Sequence, residues 1–155
     1  MLVSEALAQM DSELRNDVSQ DYSTQEKIHY INRAIYTVGS IMATLNHHAT
    51  IVTTTIKKDD PIPADFLSFA GVYPVYYNNG LFDTEEELTV RYRKVMPKIS
   101  TETDELPIPY PFDDIAVQTA IKFALNRNEF IVSQTEALIQ SVTQAVSSAM
   151  ASGEH

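Results

Sequence analysis

Carboxylates and imidazoles offer the most chemistry in this chain. Glu26-Lys27-Ile28-His29 has the Glu-x-x-His spacing that sets two metal ligands on one side of a helix in di-iron bundles. Such a centre needs a second Glu-x-x-His and two more inward glutamates, and the sequence has no second pair. His47 and His48 are adjacent, and adjacent side chains on a helix do not face one another. Their expected place is a helix end. Glu85-Glu86-Glu87 would attract a divalent cation, but it lacks the spaced oxygen ligands and the glycine of a calcium loop. An exposed acidic turn is the plainer reading. The four glycines form no phosphate-cradling loop. No Gly-x-Ser-x-Gly elbow is present, and without cysteine there is no thiolate or disulfide chemistry. Tyr73, Tyr76, Tyr77, Tyr92 and Tyr110 could stack on bases, yet basic residues do not interleave with them. Packing and subunit contact are their expected roles. The reading is of a protein that is not an enzyme, with no catalytic residue, cofactor or metal ligand.

Bulk properties narrow the class further. The chain has 155 residues, 44% hydrophobic and 21% charged, enough for one globular domain with a real core. A formal net charge of −10 argues against a broad basic surface that grips nucleic acid. It does not exclude a surface past which DNA moves without sticking. No apolar run approaches the length of a membrane span, and the N-terminus lacks a signal-peptide pattern.

The elements that must position these residues follow from periodicity. Val3, Leu7, Met10, Leu14 and Val18 recur at three and four residues, which predicts an amphipathic helix over 2–18. Ser23 and Glu26 have capping-box spacing and open a second helix. Its stripe is Ile28, Ile31, Ile35, Val38, Met42 and Leu45, with Gly39 marking a close contact and Asn46-His47-His48 at its end. Ile51–Ile56 is β-branched and predicts a strand. Pro63 to Leu67 suggests one helical turn, with Phe66, Leu67 and Phe69 inward. Val72–Tyr77 is extended but edge-like because of Pro74, and Asn79-Gly80 signals a hairpin. Asp83–Glu87 is an acidic loop. Leu88, Val90 and Tyr92 alternate with polar partners as in a half-buried strand, and 94–105 is a polar loop.

Leu106-Pro107-Ile108-Pro109-Tyr110-Pro111-Phe112 forms a proline clasp that cannot be helix interior. Pro111 fits a first helical turn, and Asp113 and Asp114 complement the helix dipole. Ile115, Thr119, Ile121, Phe123, Ala124 and Leu125 supply the buried side of this third helix, which breaks near residues 126–128. From Phe130 to Gly153 the only ionisable side chain is Glu136. Ile131, Leu138, Val142, Ala145 and Ala149 make a narrow apolar seam. The far side is small and uncharged, whereas a solvated face normally carries charge. Two readings fit: a helix that docks on another protein chain, or an Ala/Ser-rich helix of its own domain.

This layout resembles the head-to-tail adaptor (connector, or head-completion) proteins of tailed bacteriophages. The resemblance rests on Tyr30-Ile31-Asn32-Arg33-Ala34-Ile35, Pro63-Ala64-Asp65-Phe66, the proline-led entry Leu106 to Ile115, and Ala120-Ile121-Lys122-Phe123-Ala124-Leu125. It implies a homo-oligomeric ring, commonly of twelve, beneath the portal protein in the virion neck. The ring would extend the DNA channel, let DNA pass without specific binding, and meet the tail or stopper protein, with no membrane involved. Other readings are a tail-completion or stopper subunit, and a small cytoplasmic regulatory or metal-binding helical protein built around Glu26 and His29.

The expected fold is α+β and mainly α: a helical bundle with a small antiparallel β element inserted between the second and third long helices. It forms a single adaptor-like domain over 1–155, with a core of about 24–128 and a docking helix of about 130–150. Phe130, Ile131, Gln134, Leu138, Ser141, Val142, Ala145 and Ala149 are the expected portal or subunit contacts. Tyr73, Tyr76, Tyr77, Glu85 and Glu86 are expected to face a neighbour or the tail.

Overall fold

A computed structural model of the chain describes residues 1–14, 22–126 and 132–152. In order, the elements are α1 (Val3–Leu14), α2 (Thr24–Thr44), a short 3-10 turn (His48–Thr50), β1 (Ile51–Ile56), β2 (Phe66–Phe69), β3 (Tyr76–Asn78), β4 (Leu81–Asp83), β5 (Leu88–Lys94), α3 (Phe112–Leu125) and α4 (Val132–Ala151). They fall into two compact units, Met1–Ile41 with Met96–His155, and Met42–Val95.

The first unit is helical. On α1, Val3, Leu7, Met10 and Leu14 are buried, as their spacing predicts, and Ala6 joins them. Val18 lies outside the described residues. On α2, Ser23 Oγ accepts from the Glu26 N–H at 3.1 Å and Glu26 Oε1 accepts from the Ser23 N–H at 3.4 Å, a closed capping box. Ile31, Ala34, Ile35 and Val38 form the buried side of this helix in the first unit. Lys27 lies low on the same side and neutralises its charge against Asp11 of α1 at 2.6 Å. A Cβ placed on Gly39 would stand 2.9 Å from Met96 Cγ, so glycine is what admits that side chain.

The loop from Met96 to Pro111 is polar in sequence but anchored at Met96, Ile99, Leu106 and Ile108, all buried. Asn32 makes a paired contact with it: Nδ2 donates to the Ile99 carbonyl at 2.9 Å, and Oδ1 accepts from the Ile99 N–H at 2.8 Å. Asp104 gathers the N–H groups of Ser100 and Thr101 at 2.9 and 3.0 Å. Those backbone donors hold its carboxyl below the usual carboxylate range. The proline clasp ends at a cis Tyr110-Pro111 bond, and Pro111 caps α3 without a side-chain hydrogen bond. Asp113 and Asp114 occupy the first turn as expected, but Asp113 is buried. Leu125, expected in the apolar side of α3, is instead exposed, while Phe112, Ala116, Val117 and Ala120 carry the packing. Arg33 stacks over the Phe123 ring at 4.3 Å, and α1 and α4 both pack on α3.

The second unit corrects the expected fold class. The chain is α+β, but its strand content is not a small insertion in a helical bundle. Among the described residues, five strands make two antiparallel sheets: a three-stranded sheet ordered β1-β5-β2, and the β3-β4 hairpin. The segment read as a helical turn, Pro63 to Leu67, runs into β2. Phe66 pairs with Lys94 and Phe69 with Tyr92, and the register slips between Phe66 and Ser68. Leu67, expected inward, is exposed. The reason is non-local. A four-residue Phe-Leu-Ser-Phe run carries too little periodicity to separate helix from strand, and β5 decides the matter by offering its second edge. Val90 and Tyr92 of β5 are buried as their alternation predicts. Asn79 and Gly80 have φ of 51° and 79°, the left-handed pair a two-residue hairpin turn requires. Phe66, Phe69, Tyr77 and Phe82 then close an aromatic core, with Phe66 and Phe82 centroids 5.6 Å apart in T-shaped contact.

Candidate interaction surfaces

The hairpin places the expected contact tyrosines on different sides. Tyr77 and Phe82 are cross-strand partners and turn towards the aromatic core, with ring centroids 6.1 Å apart. Tyr76 pairs with Asp83 on the other side of the ribbon, and its ring is 71% exposed. Tyr73 turns inward: its hydroxyl accepts from the Arg91 N–H at 3.0 Å, and its ring meets Phe69 at 5.5 Å. Val72, beside it, is fully exposed.

Glu85 and Glu86 lie with Tyr76 along one open groove of about 660 Å³, together with Lys58, Pro74, Asp83, Thr84 and Leu88. The turn is held by Thr84, whose buried hydroxyl donates to the Glu86 carbonyl at 2.8 Å. The Lys58 ammonium stands 3.9 Å from Asp83 Oδ1, with both side chains well exposed, so this ion pair contributes little. The groove therefore joins an apolar bed to an excess of carboxylates. Glu85 and Glu86 were legible from charge and the turn, whereas Pro74, Asp83 and Leu88 join the groove only through strand pairing.

The second surface is α4. Val142 and Val146 are its buried side chains among those described. The expected seam shifts accordingly. Leu138 and Ala149 are half-buried and Ala145 is exposed, while Val146, not singled out by the sequence, is fully covered. A 142-to-146 step of four keeps the contact line on one side, whereas a step of three to Ala145 carries it outward. Phe130 and Ile131, and the side chain of Gln134, lie outside the described residues. Ser141, Val142 and Ala145 line a shallow cavity of about 240 Å³ with Asp114, Ile115, Gln118, Thr119 and Lys122 of α3. The exposed described side chains of α4 are Glu136, Ala137, Ile139, Gln140, Ser141, Gln144, Ala145, Ser148 and Ala151. Their only charge is Glu136.

The residues first weighed for metal chemistry are dispersed. Glu26 and His29 are exposed, and the His29 ring lies against Tyr30 at 5.7 Å. His47 is buried rather than at an exposed helix end. Its Nδ1 accepts from the Ala49 N–H at 3.0 Å and caps the 3-10 turn, and its ring stacks on His48 at 4.4 Å. Among the described residues, no group of three metal-ligating side chains converges, and no helix is long and apolar enough to cross a membrane. Asp65 and Tyr92 are the closest to a functional-looking pair, with the phenol donating to Asp65 Oδ1 at 3.0 Å. Burial first, then the neighbouring carboxylate, raises the Tyr92 phenol. The Tyr92 ring lies against Phe66 with centroids 5.4 Å apart, so the pair reads as packing. In comparison with known proteins, the chain matches no protein-family model and no curated protein.

Proposed function

We propose that this protein is a structural component of a tailed-bacteriophage neck: an adaptor that assembles as a ring, joins the portal to the tail and lengthens the DNA channel. The observation that carries the reading is the outward side of α4. Of its nine exposed described side chains only Glu136 is charged; seven are small or amide-bearing, and the ninth is Ile139. Such a surface gives up little hydration and little rotamer entropy when another protein covers it. It is a poor design for a helix that remains in water. The portal is the proposed partner at α4, and the tail is the proposed partner at the hairpin. The net charge of −10 suits a channel through which DNA passes without being held.

The Tyr30-to-Ile35 motif that carries the family resemblance has a structural use here. Asn32 clamps the Ile99 backbone and Arg33 covers Phe123. The motif fixes the loop and α3, which present α4. A second reading, a stopper or tail-completion subunit, draws support from the two sheets and aromatic core of the second unit. One experiment separates these: native mass measurement of the protein alone and mixed with portal rings. An adaptor forms a ring on the portal, in stoichiometry matched to it. A stopper ignores the bare portal and binds only a completed neck. A monomer that binds neither assembly overturns both readings.

A further inference from the structure

The hairpin leaves one edge of its ribbon open. β4 is covered on one side by β3 and on the other by the segment before β2: the Phe82 N–H donates to the Asp60 carbonyl at 2.8 Å, and the Asp59 N–H donates to the Phe82 carbonyl at 2.9 Å. β3 pairs only with β4 among the described residues, and all three of its residues are exposed. Asn78 and Leu81 flank a two-residue turn. They are therefore a hydrogen-bonded pair, and the Tyr77 N–H and carbonyl face away from β4. An open donor and acceptor on an edge strand is a template for one more strand. The groove of Tyr76, Pro74 and Leu88, rimmed by Asp83, Glu85 and Glu86, meets this strand at Tyr76.

We propose that this edge and groove bind an extended, lysine- or arginine-bearing segment of a different protein. Its backbone would pair with Tyr77, its apolar side chains would rest on Tyr76 and Pro74, and its cations would meet the three carboxylates. Charge chooses the occupant. Among the described residues that line the groove Lys58 is the one cation, at 3.9 Å from Asp83, and an exposed lysine is readily displaced. A second copy of this chain is a poor occupant. At −10 per copy it carries the wrong sign, and its exposed Lys57, Arg91, Lys98 and Lys122 sit on separate elements instead of one basic strand. This inference rests on the adaptor reading for the existence of a partner, and it names that partner's chemistry at the hairpin.

The test uses the full chain and two labelled, end-blocked peptides of equal length, one alternating lysine with valine and one alternating glutamate with valine. The lysine peptide is expected to bind, and to shift the amide resonances of Tyr76, Tyr77, Thr84 and Leu88. Asp83→Asn/Glu85→Gln/Glu86→Gln should weaken it at least tenfold. Tyr77→Pro, which removes the outward N–H, should weaken it while the carboxylates remain. Equal binding of both peptides, shifts scattered over the acidic surface, or unchanged affinity in the charge variant overturns the proposal. Self-association abolished by the charge variant overturns it too, by giving the groove to a second copy. Ring formation on the portal is measured separately: a ring with a silent groove removes this inference and leaves the adaptor reading, and a binding groove without a ring does the reverse.

Discussion

The guanidinium of Arg93 holds the side chain of Asn46 by two hydrogen bonds, Nε at 3.1 Å and Nη2 at 2.8 Å, both to Oδ1. Nε also reaches the Ala43 carbonyl at 3.1 Å, while Nη1 donates to Ser68 Oγ at 3.2 Å and to the Phe69 carbonyl. Asn46 stands at φ 62° just past the end of α2, where the helix leaves carbonyls unpaired. Arg93 thus ties that terminus to β2 and β5 with a cation on the negative end of the dipole. Lysine cannot reproduce this planar fork. Arg93→Lys is expected to lower unfolding stability by about 2 kcal/mol. Asn46→Gly keeps the left-handed turn, loses the acceptor and costs about 1 kcal/mol. Urea unfolding of both single variants and the double variant checks this. Strict additivity would show that the two residues are not coupled.

Tyr92 is expected to set an alkaline limit on stability. Its hydroxyl donates to Asp65 at 3.0 Å, and burial followed by that carboxylate raises its pKa. A folded pKa above the unfolded value of about 10 means a contribution fully present below that pH and lost as pH rises through the folded value. Spectrophotometric titration should show one late phenol. Tyr92→Phe should remove that late step and flatten the alkaline loss of stability. An unchanged alkaline end would contradict the assignment.

Local chemistry made part of this fold readable. The Ser23–Glu26 box, the Asn79-Gly80 turn and the Val90/Tyr92 alternation are signals complete within a few residues, and each takes the expected form. β2 was unreadable because its partner, β5, lies more than twenty residues away in the chain. The roles of Asn32 and Arg93 were hidden for the same reason: a side chain that bonds a distant backbone leaves no periodic trace. The candidate surfaces divide similarly. The scarcity of charge on α4 is visible as composition, but which side is free depends on α3. The acidic turn is visible, but the bed of Pro74, Tyr76 and Leu88 exists only once the hairpin forms.

Asn32 acts as a strand partner supplied by a helix. Its amide satisfies both the N–H and the carbonyl of Ile99, a residue 4% exposed. Asn32→Asp replaces the donor with an anion facing a carbonyl, and Asn32→Leu leaves both backbone groups unpaired. Each is expected to cost about 2 kcal/mol. Hydrogen exchange sharpens the test. The Ile99 amide should be protected in the native protein and lose that protection in Asn32→Leu, while the core amides of α3 keep theirs. Retained protection at Ile99 would mean that another group closes the loop.

The two sides of α4 should separate folding from assembly. Val146 is fully buried and Val142 nearly so, so Val146→Ala leaves a void against its own unit and is expected to cost about 2 kcal/mol. Ser148 is exposed. Ser148→Glu adds one charge to a helical surface and should change the stability of the free protein by less than about 0.5 kcal/mol. On the proposed portal surface the same carboxylate would be buried without a partner, which is strongly unfavourable. Binding to portal rings should therefore fall at least tenfold in Ser148→Glu, with the melting temperature unmoved. A glutamate at position 148 that leaves portal binding intact would place the contact elsewhere and take away the physical basis for docking through α4, because the uncharged side would then be compatible with open water after all.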